Sequence, residues 1–154
     1  MLRADHMVFP AWRPEASLAF YSEVLELPLV NAFDGEDWGG KRWLMMVFAL
    51  ADGRELVLVA LRGLGRPAGD GLAPDTRHYA FSVEDEAQQD ALRGRLRAAG
   101  VEFWEEDHGP QKSLYFPDPN GVILEVTTPP SAPAQTHDPA AADRARRWIA
   151  AAAA

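Results

Sequence analysis

The chain has 154 residues, the size of one domain able to bury about two-thirds of the surface its unfolded form exposes. A net charge of −8 and a pI near 4.9, with no basic stripe, exclude an electrostatic nucleic-acid binder. The lack of cysteine excludes disulfides, zinc–thiolate sites and thiol nucleophiles.

The first apolar run, in MLRADHMVFPAW, is too short for a secretion signal, and no stretch reaches membrane-spanning length. The expectation is a cytoplasmic globular protein without a membrane partner. Leu2–Phe9 reads as a strand with His6 and Val8 on one face. Pro14 opens a helix to Leu25, with Leu18, Tyr21 and Leu25 as its apolar stripe. A short strand at Leu29–Phe33 is followed by the Gly/Asp-rich loop DGEDWGG. Arg42–Leu50 and Glu55–Leu61 form a hairpin about Asp52-Gly53. Gly63–Thr76, rich in Gly and Pro, is the internal boundary.

The same order then returns. Arg77–Val83 is a strand, and Asp85 caps a helix to Ala99 that Gly100 stops. Val101–Trp104 is a further strand. Ser113–Pro117 and Val122–Thr128 form a hairpin about Asp118–Gly121, where Pro119 presets φ and Asn120-Gly121 tolerates positive φ. The expected fold is therefore α+β: two βαβββ modules, about residues 1–62 and 77–128, in one domain spanning 1–128. His6 and His78 occupy equivalent strands, and aligning Gly53 with Gly121 sets Val57 opposite Glu125. Beyond Thr128, residues 129–154 comprise a Pro-rich linker containing His137 and an Ala-rich helix, Pro139–Ala153, started by Asp138 and Pro139. Trp148 and Ile149 are its large apolar side chains, and Trp148 is expected to dock on the body or on a second subunit.

Glu125 interrupts an apolar strand between Leu124 and Val126. A carboxylate there must be paired, metal-bound or neutralised. Brought together with His6 and His78, it would complete a two-imidazole, one-carboxylate triad with open coordination positions. The alternative is that Glu125 pairs with an arginine such as Arg77 and that the histidines are ordinary hydrogen-bonded residues. GLGRPAGDG lacks the ending of a phosphate loop, and WLMMVF reads as core or cavity wall.

With histidines on the first strand of each module and FPDPNGVILE at the end, Leu2–Thr128 resembles the vicinal oxygen chelate superfamily, which includes glyoxalases, extradiol dioxygenases and the fosfomycin and bleomycin resistance proteins. The resemblance implies metal ligands at His6, His78 and Glu125. It also implies a divalent cation, Fe(II) or Mn(II) before Zn or Ni, and a small-molecule substrate in a homodimer.

Within the superfamily, glyoxalases carry a fourth ligand where this chain has Val57; Glu55, two residues earlier on the same face, could substitute only after a register slip of two. His108, Leu114, Tyr115, Asp118, Pro119, Gly121 and Glu125 follow the local spacing of extradiol dioxygenases, with Glu106 departing from the pattern. That resemblance implies that Tyr115 and His108 assist at the metal-bound substrate. No histidine lies in Arg62–Arg77, where such dioxygenases supply another acid–base group. The readings carried forward are an Fe(II) extradiol-type dioxygenase, a lyase, isomerase or resistance transferase using the same chelation, and a metal-free drug-binding protein.

Overall fold

The computed structural model describes residues 4–69, 71–73, 76–131 and 139–152; Leu2, Arg3, His137, Asp138 and Ala153, each given a place above, lie outside them. Two four-stranded mixed sheets form, one from each module. In the first, β1 (His6–Pro10), β4 (Glu55–Leu61), β3 (Trp43–Ala49) and β2 (Leu29–Gly35) lie side by side in that order. The second repeats it with β5 (His78–Ser82), β8 (Ile123–Thr128), β7 (Lys112–Pro117) and β6 (Trp104–Asp107). In each, the first strand runs parallel to the last and the other pairings are antiparallel. The βαβββ duplication expected from sequence is therefore present. No helix among the described residues is long and apolar enough to cross a membrane.

Alternation decides which side chains enter the core. Phe9, Phe48, Leu56 and Leu58 from the first sheet join Leu114, Phe116, Leu124 and Val126 from the second in one buried cluster. Phe9 and Tyr79, on the facing strands β1 and β5, bring their ring centres to 4.5 Å. Each such side chain removed from water contributes about 1.5–3 kcal/mol. Helix α2 (Glu86–Ala98) covers the second sheet, capped by Asp85, whose carboxylate accepts the Gln88 N–H at 2.9 Å.

Three elements differ from expectation. The first helix is α only over α1 (Pro14–Ala19) and widens to a π turn over Phe20–Val24, where the Leu25 N–H reaches the Phe20 carbonyl at 3.0 Å. The extra residue turns Phe20 toward Phe116 and Tyr21 toward Phe48, a demand of packing that helical periodicity does not register. Val101–Trp104 is not a strand: the Val101 N–H still bonds the Leu96 carbonyl, and pairing begins only where Trp104 meets Tyr115. The C-terminal helix α3 covers Ala141–Ala152, and Trp148 is 74% exposed, so it does not dock on its own chain.

The Asp118–Gly121 turn joins the modules. Asp118 Oδ1 accepts the Asn120 and Val122 N–H groups at 2.8 Å each, while Oδ2 accepts the Tyr21 hydroxyl at 3.1 Å and Asn120 Nδ2 at 2.9 Å. Asn120 Nδ2 also reaches Ser17 Oγ, and its Oδ1 accepts the Arg13 N–H. Burial, reinforced by the neighbouring Asp118 carboxylate, pushes the Tyr21 hydroxyl far above its ordinary range. Gly121 needs φ of +84°, and a Cβ there would strike the Arg66 guanidinium. Asp118→Ala strands four donors inside the protein and should lower unfolding free energy by about 3 kcal/mol or more, against about 1 kcal/mol for Tyr21→Phe. Urea titrations of the two variants measure the difference.

Candidate metal centre

The site begins with β8. Its register sets Glu125 beside Ala80 of β5 and Tyr115 of β7, on the sheet face away from the core. At 8% exposure Glu125 is buried, and both its oxygens are engaged. Ser113, two residues before Tyr115 and therefore on the same face, donates its hydroxyl to Oε1 at 2.6 Å. His78 brings Nε2 to 3.0 Å from Oε2. The arginine pairing weighed from sequence is not what satisfies this carboxylate.

Tyr115 is the neighbour that shapes the site. Trp104 stacks on its ring at 5.2 Å, and the His78 imidazole meets it edge-on at 5.4 Å. Its hydroxyl lies 3.2 Å from His108 Nε2. Glu106 holds that corner together, accepting the Trp104 indole N–H at 3.1 Å and standing 3.6 Å from His108 Nε2. Burial, then the nearby Glu125 charge, pushes the Tyr115 phenol up to about 12, so it is a hydrogen-bond donor through the whole neutral range.

His78, Glu125, Tyr115 and His108 thus gather on one face of the second sheet. His6 stands on the first sheet, its Nδ1 2.7 Å from Asp5 Oδ1. Among the described residues, no three His, Cys, Asp or Glu side chains of one chain come together in a way that could hold a metal ion. Imidazole nitrogen beside carboxylate oxygen is nonetheless a donor set that suits a divalent transition metal, and Ser113 fixes the carboxylate as an outer partner should. His78 and Glu125 are adjacent on one sheet, and His6 lies on the other.

Strand registers also place the fourth position. His6 pairs with Glu55 as His78 pairs with Ile123, so Glu55 is the counterpart of Ile123 and Val57 that of Glu125. Sequence reading missed Ser113 and the part played by Trp104 and Glu106. Their signal was alternation: residues 113 and 115, and 104 and 106, share a face once β6 and β7 are paired.

The coupling between Glu125 and Tyr115 is measurable. Because the folded phenol titrates above its ordinary value of 10.0, its protonated form favours the fold below about 10, and that contribution is lost as pH rises through about 12. Phenolate absorbance should show a step near 12 that Tyr115→Phe removes. Glu125→Gln, which takes away the facing charge, should move the step downward.

The profile of the Glyoxalase/Bleomycin resistance protein/Dioxygenase superfamily matches residues 3–126. The chain is 32% identical to metallothiol transferase FosB of Shouchella clausii over 131 residues, 80% of this chain and 78% of that protein. It is 42% identical to glutathione transferase FosA of Serratia marcescens over 52 residues, which span only 36% of that protein. In fold it resembles the fosfomycin resistance protein FosX of Listeria monocytogenes, solved as a point mutant with Mn(II) and 1S,2S-dihydroxypropylphosphonic acid. The TM-score is 0.62 at 18% identity, over 82% of this chain and 91% of that one. With the duplicated βαβββ order, the paired histidine and glutamate and these matches together, the chain belongs to the glyoxalase, bleomycin resistance protein and dioxygenase superfamily.

Proposed function

We propose that the protein is a metal-dependent enzyme, working as a homodimer, whose substrate binds through two adjacent oxygens in an extradiol-dioxygenase-like reaction. The observation that carries this reading is the His78–Glu125 pair 3.0 Å apart, set against a Tyr115 hydroxyl that His108 engages. The third ligand on this reading is His6 of a second copy, with the first-module face of one chain opposed to the second-module face of the other. Two facts support that pairing. His6 stands on a sheet separate from its proposed co-ligands, and its face leaves Val8 51% and Phe33 48% exposed, apolar surface of the kind that interfaces cover.

A divalent cation held by His78, Glu125 and the second His6 would supply Lewis acidity and a template for the two substrate oxygens. The chain's own groups do the remainder. Tyr115 stays protonated and donates to a substrate oxygen as negative charge develops there. His108, half-exposed and 3.2 Å from the phenol, exchanges the proton that a catechol releases on binding with solvent. Glu106 keeps His108 at that corner. Both atoms of dioxygen enter the ring-opened product, so no external reductant is required.

A second reading, metal-assisted transfer of a thiol to a small electrophile, is favoured by the identity with FosB. The charge of the site bears on its substrate. By strand alternation the His6 face carries Val8, Val47, Val57 and Val59, and the His78 face carries Trp104, Ser113, Tyr115 and Ile123. Neither sheet face carries a lysine or arginine, whereas both carry carboxylates. A phosphonate would find no cation on these two faces; a neutral aromatic diol finds aromatic walls and hydrogen-bond donors.

His6→Ala and Glu125→Ala should each strip metal from the folded protein. Mixed, unfolded and refolded together, they should regain about a quarter of the sites, because each mixed dimer restores one intact site. Elemental analysis reads this without reference to activity, and no recovery rejects the shared site. Oxygen uptake with catechols, against thiol loss with an epoxide, then separates the two reactions.

Val57→Glu should tighten metal binding and suppress oxygen-dependent turnover by occupying an open position, while Glu55→Ala leaves metal content unchanged. Loss of metal in Glu55→Ala would instead identify a four-ligand, glyoxalase-like centre.

A further inference from the structure

Away from the ligand face, a groove of about 940 Å³ runs between the modules. Its floor is apolar, formed by Leu56, Phe81, Leu92 and Phe116, with Leu27 and Leu50 along one wall. No part of the catalytic constellation lines it. Pro130 and Ser131, the last described residues before the C-terminal segment, do, so the polypeptide leaves the body at this groove. Ten positions later α3 begins at Ala141, a reach of up to roughly 30 Å.

Helix α3 has the shape of surface that such a groove lacks. At 100° per residue, Ala141, Ala145, Trp148 and Ile149 fall on one stripe, and Asp143, Arg146 and Arg147 on the other side. Trp148 is 74% and Ile149 63% exposed on their own chain. The helix carries three arginines to one aspartate on a chain of net charge −8. Glu26, Asp52 and Glu84 edge the groove beside Arg54 and Arg95. The first two are paired with Arg95 and Arg54, while Glu84 has no ion pair among the described residues. Apolar stripe matches apolar floor, and the arginine flank meets an edge left with one net negative charge, that of Glu84.

We infer that α3 is a clasp between subunits, its Trp148–Ile149 stripe seated in the intermodule groove of a second copy, reciprocally in a two-fold dimer. The exposure of Trp148 in its own chain is what assigns the groove to the other copy. Two such helices, each burying a tryptophan and an isoleucine, remove on the order of 600–800 Å² of their own surface from water, and with a like area of groove the total reaches roughly the 1,200 Å² at which stable interfaces begin. The clasp adds to the opposed ligand faces, and its position on the other side of the sheets makes it separable from them.

The absence of cysteine makes the test clean. Ala91, exposed on α2 at the groove edge, and Ile149 are changed singly to Cys, and the full-length Ala91→Cys and Ile149→Cys chains are mixed and oxidised. The expected result is a mixed disulfide dimer on a non-reducing gel. Deleting Pro139–Ala154 should weaken dimerisation at least tenfold by sedimentation while metal content at saturating protein stays intact. A double Ala91→Cys, Ile149→Cys chain that closes only within itself overturns the proposal. So does the absence of any mixed disulfide, or a dimer constant unchanged by the deletion. A blue shift of Trp148 emission on phosphatidylserine vesicles, without the disulfide, assigns the helix to a membrane surface and rejects the clasp. No metal recovery from refolded His6→Ala and Glu125→Ala mixtures, with the mixed disulfide still forming between full-length Ala91→Cys and Ile149→Cys chains, would count against the shared metal site and not against the clasp.

Discussion

A single buried carboxylate, Asp118, ties the two halves of this protein together. Out of water it is tolerable only with its lone pairs in use, and the partners come from both modules: the Tyr21 hydroxyl from the first, the Asn120 amide and two turn N–H groups from the second. The turn and the docking of the first helix are therefore one event. The π turn over Phe20–Val24 belongs to the same event, because it aims Tyr21 at the carboxylate while Phe20 meets Phe116. From this anchor β8 runs directly into Glu125, so the element that joins the modules also positions the chemistry.

The duplication is structurally faithful and chemically unequal. Both sheets have the same strand order and the same first-to-last register, yet Val57 stands where Glu125 stands. The second module concentrates the polar groups, each satisfied by a neighbour on the same face: Ser113 on Glu125, Trp104 on Glu106, His108 on Tyr115. Among described residues no buried side-chain nitrogen or oxygen lacks a partner. The first module offers a face of valines with His6 near its edge. In the proposed dimer that apolar face would oppose the polar constellation of the other copy, as a cleft needs to exclude water while holding a polar substrate end.

Much of this was legible in the chain. Period-two alternation and turn chemistry are local, so the βαβββ order, the face shared by Ser113 and Tyr115, and Glu125 as the misplaced polar residue follow from adjacent residues. The glycine alignment of Gly53 with Gly121 was sufficient to pair Val57 with Glu125, because hairpin register is fixed within a few residues of the turn. What only the tertiary structure decided depends on partners distant in sequence. His78 meets Glu125 across 47 positions, and Tyr21 meets Asp118 across 97. The π turn exists because two aromatic rings must reach the other module, a requirement absent from helical spacing. Equally, the sequence marks His6 and His78 as equivalents on separate modules, but only the three-dimensional arrangement shows that, among the described residues, His78 pairs with Glu125 while His6 of the same chain does not join them, since equivalence in a repeat says nothing of which faces oppose one another.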